Sequence, residues 1–468
     1  MTTLYPRLAG LLLGVLLSWL PIGEAQAVPS FARQSGMDCT TCHLSWLELT
    51  PVGRRFKLGG YQLMKSMPDD AERPWLSFKF DDNPPLIPLA AMIQASTTRV
   101  SNTHTPGTDP ATDFAKTDTV VLQQFSLFLN GKLADHVGCF CQWTYDDVAR
   151  HSSIDNAEVR IADEFSGNGV NALYGLSINN SPTMSDIYNT TPVWGWPYVG
   201  SGVAPTPSAA PLVSGGLAQS VIGFTGYTLL NRTYYLEVGG YRTADKIFGL
   251  MRAGVPEADR AIVDGVAPYY RFALQTEWDK GRQSGMIGTF GLIAKKFPDP
   301  LNPTGPSDKF SDAGFDAQYQ YITDRHRFST MFTYIRERQT LNGSFAAGGS
   351  SKADNDLNTI NLKATYYFNK WYGISAGYQR TGGSADSGLY DTGSALSGSV
   401  NASPDSAASI VELNYLFSLA GEEAYRRNRL VLQYTAYSKF NGASHNYDGF
   451  GRNASDNNTL YLLGWFLY

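Results

Sequence analysis

Alternation of apolar and polar side chains is plainest in the stretch Phe272-Ala273-Leu274-Gln275-Thr276-Glu277-Trp278. In an extended chain successive side chains point to opposite faces. Phenylalanine, leucine, threonine and tryptophan therefore fall on one face, and alanine, glutamine and glutamate fall on the other. This pattern predicts a β-strand of the kind that crosses a membrane in a barrel, although a half-exposed strand of a soluble sheet gives the same alternation.

Two further stretches repeat the pattern nearer the amino end. Val121 to Leu129 places its larger apolar residues on one face, and Ile154 to Phe165 sets Val159 against Glu158 and Arg160. If these strands belong to a barrel, the charged side chains face its interior. We therefore predict that Glu158 and Arg160 lie in the lumen, next to whatever fills it.

The lengths of the connections separate a membrane barrel from a soluble sheet. Short turns are predicted at Ala134-Asp135-His136, Asn231-Arg232, Asp279-Lys280-Gly281, Asp324-Arg325-His326 and Asn369-Lys370. Long polar connections are predicted at Asn102 to Thr117, Ser181 to Gly216, Gly382 to Ser406 and Asn441 to Asn457. Short turns that alternate with long loops are typical of outer-membrane barrels, whose short turns are periplasmic and whose long loops are extracellular. We predict an all-β fold, a transmembrane antiparallel barrel of about 16 strands within residues 81–468.

Composition agrees with an exported barrel. The chain has 46 Gly, 27 Tyr, 24 Phe and 9 Trp, and only 17% of its residues are charged. Aromatic and glycine-rich chains with few charges suit a lipid-facing sheet. The net charge of −5 gives no indication of nucleic-acid binding.

The first 27 residues read as a secretory signal peptide. Arg7 precedes an apolar run from Leu8 to Leu20, and Ala25-Gln26-Ala27 is a small-residue cleavage site. No later apolar stretch is long enough for a membrane helix, so we expect no helical span in the mature chain. An outer membrane, and therefore a Gram-negative bacterium, is the predicted location, with membrane lipid around the barrel.

A cofactor motif follows the signal peptide directly, at Cys39-Thr40-Thr41-Cys42-His43. Two cysteines at this spacing, followed at once by histidine, are typical of covalent attachment of a c-type haem. Both thiols bond the porphyrin, and the imidazole ligates the iron. We predict one covalently bound haem c, held by Cys39 and Cys42 and ligated by His43. A chance match, a redox cysteine pair and half of a zinc site are the alternatives.

The segment that carries the motif, residues 28–80, is too short for a cytochrome with its own core. We expect a small α-helical segment that packs against or inside the barrel lumen, which needs a plug. Met64 is the predicted distal ligand, and Met37 and Met67 compete with it. The histidines at 104, 136, 151, 326 and 445 also compete, although all fall in predicted turns or loops.

Arg54 and Arg55 follow the motif within a basic cluster. They are predicted to bond the haem propionates, and a solvated basic face is the alternative. Further along, Cys139-Phe140-Cys141 puts two thiols on one strand face. Such neighbours form a disulfide only with strain, so we interpret them as an oxidisable pair or as two buried thiols.

Several stretches resemble one known family, the fused monohaem cytochrome–porins of the outer membrane. The similar stretches are Phe31-Ala32-Arg33-Gln34-Ser35-Gly36, the motif itself, Leu49-Thr50-Pro51-Val52-Gly53-Arg54-Arg55-Phe56-Lys57-Leu58, Gly60-Tyr61, Gly175-Leu176-Ser177-Ile178-Asn179-Asn180-Ser181-Pro182-Thr183 and Pro192-Val193-Trp194-Gly195-Trp196-Pro197-Tyr198. The family is best known for iron oxidases of iron-oxidising bacteria.

This resemblance implies that extracellular Fe(II) gives one electron to the haem, which passes it to a periplasmic c-type cytochrome. If so, the chain is an oxidoreductase of the Fe(II):cytochrome c type with no catalytic residue beyond the haem. Three alternatives remain: a conduit for outward or non-iron electron flow, a diffusion porin with a structural or sensory haem, and a soluble periplasmic cytochrome with a β-domain. Acidic loop residues such as Asp109, Asp113 and Asp118 are candidates for attracting Fe(II).

Overall fold

The computed structural model describes residues 29–35, 37–45, 47–64, 88–103, 120–418 and 428–468. Sixteen antiparallel strands close into one barrel, in which each strand pairs with its neighbours in sequence and the first pairs with the last. The strands are β1 (Leu89–Val100), β2 (Val121–Ala134), β3 (Val137–Asp146), β4 (His151–Gly167), β5 (Val170–Asn179), β6 (Val221–Leu230), β7 (Tyr234–Thr243), β8 (Ala267–Trp278), β9 (Gln283–Lys296), β10 (Asp308–Ile322), β11 (His326–Thr340), β12 (Asp354–Phe368), β13 (Tyr372–Gly383), β14 (Ser406–Phe417), β15 (Asn428–Lys439) and β16 (Thr459–Leu467). The predicted strand number is confirmed.

Four short α-helices accompany the barrel in the described residues. They are α1 (Pro29–Ser35), α2 (Cys39–Cys42), α3 (Pro51–Leu58) and α4 (Asn342–Ala346). None of the described helices is long and apolar enough to cross a membrane. The predicted signal peptide, Met67, His104 and the acidic residues at 109, 113 and 118 lie outside the described residues.

The predicted inward and outward faces are confirmed in β8. Phe272 and Trp278 are 39% and 41% exposed, whereas Ala273 and Gln275 are buried. The outward face therefore carries the large apolar side chains, as lipid requires. Glu158 and Arg160 of β4 are fully buried in the lumen, as predicted.

An aromatic band runs around the outside near one end of the barrel. Tyr372 stacks on Tyr415 at 5.3 Å between ring centroids, and Tyr415 lies 5.8 Å from Phe417. This is the interface girdle expected where an outer-membrane barrel meets the lipid headgroups. The fold is thus a porin-like barrel of the outer-membrane type.

The five predicted short turns all lie at this aromatic end, hereafter the short-turn end. The long connections lie at the other end, the long-loop end, as the sequence predicts. The connection between β3 and β4 is an exception. Residues 147–150 join these strands at the long-loop end by a tight turn.

The barrel interior is occupied by two pieces of the chain. Helices α1 to α3 fill the half near the short turns, where Arg327, the second residue of β11, donates to the carbonyl oxygens of Thr40 and His43 at 2.8 and 3.0 Å. Residues 180–216 cover them from the long-loop side, where the backbone N–H groups of Leu212 and Val213 donate to inward carboxylates of the wall. The lumen therefore holds a plug of two layers.

The amino-terminal layer has no separate core. Met37, Phe56 and Tyr61 cluster with Phe140 of β3, and Leu58 packs with a group of aromatic and aliphatic residues of β5 to β9. Since burial of apolar area is what stabilises such small segments, this layer depends on the barrel wall. The described residues of this segment, 29–35, 37–45 and 47–64, lie within the lumen.

The two layers are joined by polar contacts. Nζ of Lys57 donates to the carbonyl oxygens of Met184 and Asp186 at 2.9 and 2.8 Å. Asn189 exchanges hydrogen bonds with Leu49 and Leu47, through its carbonyl oxygen and its amide nitrogen respectively. The upper layer is thereby fixed on the lower one.

Candidate haem site

The cysteine motif forms a single capped helical turn. The Asp38 carboxylate accepts the backbone N–H of Thr40 at 3.0 Å, which starts α2 at Cys39. The N–H of His43 then donates to the carbonyl oxygen of Cys39 at 2.9 Å. An aspartate at this position is a favoured N-cap because it satisfies an amide that the turn leaves unpaired. The turn brings both thiols and the imidazole to one cavity.

Helix α3 is pressed against this turn. The Thr50 side chain caps α3 by accepting from Gly53 N–H at 3.2 Å, and its hydroxyl donates to the Thr41 carbonyl oxygen at 2.6 Å. A Cβ atom at Gly53 would lie 2.2 Å from the carbonyl oxygen of Cys42. Only glycine permits this close approach, which fixes one wall of the site.

The cavity at the motif, hereafter the motif cavity, has a volume of about 120 Å³. Cys39, Cys42 and His43 lie in its lining, and neither cysteine is in a disulfide. The rest of the lining is mainly apolar and aromatic: Phe31, Met37, Leu47, Leu49, Phe56, Tyr61, Phe140 and Trp194. A mainly apolar space beside two thiols and an imidazole is the chemistry that a covalently attached haem requires, so these residues fit the group.

The protonation of the motif also suits this role. Desolvation lowers the pKa of His43 to about 4, which leaves a neutral imidazole able to ligate a metal. Desolvation, together with the Asp38 charge, raises the pKa of Cys42 to about 12.

Arg54 and Arg55 are placed away from the motif cavity. Arg54 donates to the amide oxygens of Gln318 and Gln320, and Arg55 forms an ion pair of 3.1 Å with Glu277. Both guanidinium groups are buried, so the alternative of a solvated basic face is wrong. Side chains of the barrel wall, and not solvent, pair with these two guanidinium groups. Their proposed contact with propionates stays a prediction that this geometry does not favour.

Met64 is not brought to the motif cavity either. It lines a different cavity at the short-turn end, together with Arg55 and His136, and it packs on the cluster that contains Leu58. Met37, its competitor, is 2% exposed and lines the motif cavity with His43. Within the described lining, His43 is the sole histidine.

The predicted neighbours Glu158 and Arg160 do meet the amino-terminal segment. The Tyr61 hydroxyl donates to the Glu158 carboxylate, and Arg160 pairs with Glu158 at 3.0 Å. Arg160 also donates to the Ser185 carbonyl oxygen of the upper layer. One buried ion pair therefore touches both layers of the plug.

Sequence reasoning missed several lumenal groups. Glu48 is paired with Lys363 of β12 at 3.0 Å, and Arg327 holds the motif carbonyls. Lys57 lines the motif cavity, where burial lowers its pKa to about 8. Trp194 lies in a block that the family resemblance had marked but to which it gave no role. Lys57 likewise lies in the basic cluster and in a stretch that the resemblance marked without a role. No local pattern indicates Glu48, Lys363 and Arg327, because each depends on partners far away in the chain.

The second cysteine pair lies beside the site without entering it. Phe140 faces the motif cavity, so Cys139 and Cys141 fall on the opposite face of β3. No disulfide joins them, and Cys139 donates its thiol hydrogen to the carbonyl oxygen of Leu129 at 3.1 Å. Among the residues described, no group of three or more His, Cys, Asp or Glu stands close enough to hold a metal ion.

Comparisons with known proteins return barrels of low identity. No family model matches the chain, and no curated protein matches it. The chain is similar to the anion-selective porin of Comamonas acidovorans, at 14% identity over 81% of this chain and 98% of that chain, with a TM-score of 0.44. It is also similar to a loop-deletion mutant of OmpT, an outer membrane protein of Vibrio cholerae (11% identity, 81% and 98% coverage, TM-score 0.41), and to the outer membrane channel DcaP of Acinetobacter baumannii (12%, 81% and 96%, 0.40).

Proposed function

We propose that this protein transfers electrons across the outer membrane through one c-type haem. The observation that carries the proposal is the position of the Cys39–His43 motif, which lines a mainly apolar cavity inside the barrel. Cys39 and Cys42 would hold the porphyrin and His43 would ligate its iron. When bound, the haem supplies a one-electron redox centre in a membrane that otherwise insulates.

The chain's own residues would hold this centre and keep water from it. Phe31, Phe56 and Tyr61 supply an apolar wall, and Trp194 closes the side toward the long loops. A dry, low-dielectric surrounding strengthens the influence of nearby charges on a redox centre. Arg327 and the Thr50 cap fix the backbone that carries the ligands.

The family resemblance supports extracellular Fe(II) as the donor and a periplasmic c-type cytochrome as the acceptor. In the orientation usual for outer-membrane barrels, the short turns are periplasmic and the long loops are extracellular. The amino-terminal segment would then enter the barrel from the periplasm. The position of the motif near the short turns fits an acceptor on the periplasmic side. Iron would then be oxidised without entering the cell, so its insoluble ferric product stays outside.

The test is anaerobic mixing of the oxidised, detergent-purified protein with Fe(II), followed by the haem absorbance. We expect rapid reduction whose rate saturates with the Fe(II) concentration. A haem that dithionite reduces fully, but that stays oxidised with Fe(II), would overturn the iron assignment. The search would then turn to outward flow or to another donor.

A second candidate is a diffusion porin in which the haem is structural or sensory. The observation in its favour is a further cavity of about 370 Å³, between residues 190–214 and the strands at the long-loop end. The two-layer plug speaks against free passage. Solute conductance in planar bilayers that does not change with the haem redox state would favour this candidate. A barrel without measurable conductance would favour electron transfer.

A further inference from the structure

Residues 192–196 of the upper plug layer separate two cavities inside the barrel. Trp194 lines the motif cavity, whereas Pro192 and Trp196 line the second cavity of about 370 Å³, hereafter the long-loop cavity. Its walls include Ser406 at the start of β14 and Tyr437 near the end of β15, both at the long-loop end. Residues 192–196 are thus a thin partition, with one tryptophan on each side.

Trp194 is fixed on the motif side by three contacts. Its Nε1–H donates to the Met184 carbonyl oxygen at 2.7 Å. Its ring lies 5.7 Å from that of Phe140, edge to face, and Nζ of Lys57 lies 4.5 Å from the ring centroid. A hydrogen bond, an aromatic contact and a cation–π contact hold one ring orientation against the space where the haem belongs.

Trp196 is fixed on the other side and is 3% exposed. Its carbonyl oxygen accepts from the side-chain amides of Asn361 and Gln379 at 2.5 and 3.5 Å. Its ring lies on β13 at Gly377, where a Cβ atom would come within 2.2 Å of Cζ3. This position of the Trp196 ring requires glycine at 377, because any other residue there would displace the ring.

The long-loop cavity is lined by apolar side chains, by uncharged polar groups and by one charged residue, Arg380. Thr333, Asn361, Gln379 and Thr381 contribute hydroxyl and amide groups, and none of the described lining residues is Asp, Glu, His or Cys. Such a wall offers no strong ligand to a divalent cation. A small hydrated donor would therefore visit this cavity without being retained, and its electron would have to leave through the partition.

We propose that residues 192–196 are the electron-entry partition. A donor in the long-loop cavity loses one electron, and the cofactor on Cys39, Cys42 and His43 gains it. The rings of Trp196 and Trp194 bridge the two and undergo no net oxidation or reduction. This inference rests on the proposed function in requiring a haem at the motif cavity, but it does not require that the donor be Fe(II).

The test uses the full-length holoprotein in vesicles with the long loops outward. Haem reduction is measured twice, with a membrane-impermeant donor added outside and with a reductant enclosed inside. We expect Trp194→Leu and Trp196→Leu to slow reduction from outside several-fold and to leave reduction from inside unchanged. Trp194→Phe and Trp196→Phe should recover most of the rate. Trp465→Leu is the matched control for Trp196→Leu, because Trp465 is buried to a similar extent but lies away from the partition.

A second readout does not depend on electron transfer. Haem quenches nearby tryptophan fluorescence, so the loss of Trp194 should remove the most strongly quenched component of the holoprotein's fluorescence decay. The midpoint potential and the haem absorption spectrum should stay at their wild-type values in the Trp196 variants, because Trp196 does not line the motif cavity.

The outcomes separate the two proposals. If wild-type haem is reduced from outside by hexaammineruthenium(II) but not by Fe(II), the iron assignment fails and the partition is still tested by the ratio of rates. Equal slowing from both sides, or a shifted midpoint potential, would mean that the tryptophans only support the fold. Unchanged outside rates in both leucine variants would likewise overturn the partition.

Discussion

The Glu48 carboxylate lies 3.0 Å from Nζ of Lys363, and both side chains are almost fully buried in the lumen. Glu48 also accepts hydrogen bonds from Ser45, Ser329 and Gln320. These bonds and the lysine charge outweigh the desolvation that would raise the pKa of Glu48, so the pKa is lowered. A charged residue five positions after the motif is thereby fixed to the barrel wall.

We expect Lys363→Met to leave this carboxylate buried and unpaired, and to lower the free energy of unfolding by about 3–5 kcal/mol. The measurement is the urea midpoint of the barrel in detergent. Lys439→Met breaks the more exposed pair with Asp405 and should cost no more than about 1 kcal/mol. A double variant, Glu48→Gln with Lys363→Met, should recover part of the loss. Equal effects of the two lysine variants would contradict the role of burial.

The two methionine candidates make opposite spectroscopic predictions. Met64→Leu should leave the absorption spectrum and midpoint potential of the haem unchanged, because Met64 lies at another cavity. Met37→Leu should change both, since its side chain lines the motif cavity. The sulfur-to-iron charge-transfer absorption of the oxidised protein distinguishes a ligand from a packing residue. A spectrum altered by Met64→Leu alone would restore the sequence-based assignment.

Gly53→Ala tests the contact between α3 and the motif turn. The added methyl group would meet the Cys42 carbonyl oxygen, so one helix must move. Overpacking of this kind typically costs about 1–3 kcal/mol. We expect lower thermal stability and a broadened haem absorption band. Gly249→Ala, at a glycine with open space around it, is the control and should change neither property.

The lowered pKa of Asp386 predicts that the stability of the long loops depends on pH. Burial acts to raise its pKa, but hydrogen bonds from Ser351, Ser350 and Asn355 hold the pKa far below its usual range. Because the folded-state pKa is lowered, its contribution to stability is complete above about pH 4 and is lost as the pH falls toward the folded-state pKa.

We therefore expect pepsin to cleave the loops of the wild type faster at about pH 3 than at about pH 5, corrected for the enzyme's own pH profile. Asp386→Asn should be cleaved faster at both values, with a smaller change between them. Asp391→Asn removes a fully exposed carboxylate with only local hydrogen bonds and serves as the control. Identical pH profiles for the wild type and Asp386→Asn would refute the assignment.

The sequence predicts the barrel well because its signals are local. The alternation in β8 and turns such as Asn231-Arg232 depend on neighbouring residues, so the strand number and the two ends follow from them. The motif is local too, since one capped turn brings Cys39, Cys42 and His43 together. What holds that turn is not local. Glu48 and Lys363 are 315 residues apart, and no periodicity relates them.

The arginines illustrate the same limit. A basic cluster after a haem motif suggests propionate contacts or a solvated face, because the sequence alone does not reveal what surrounds it. Gln318, Gln320 and Glu277 turn inward on β8 and β10, and they decide where Arg54 and Arg55 point. Met64 illustrates a similar limit, and its role as the distal ligand stays a prediction. The Gly59-Gly60 turn directs it to the Leu58 cluster instead of the motif cavity.

Because the plug and the barrel wall share one core, the two parts of the chain constrain each other's evolution. Each inward residue of β4, β8, β10, β11 and β12 that contacts the amino-terminal segment is constrained twice, by the barrel and by the segment. A substitution at Glu158 or Gln320 therefore requires a compensating substitution in the amino-terminal segment. The two parts of this chain are therefore not interchangeable modules. Recombination that joined this segment to another barrel would leave its buried charges without partners, so the two are expected to evolve as one unit.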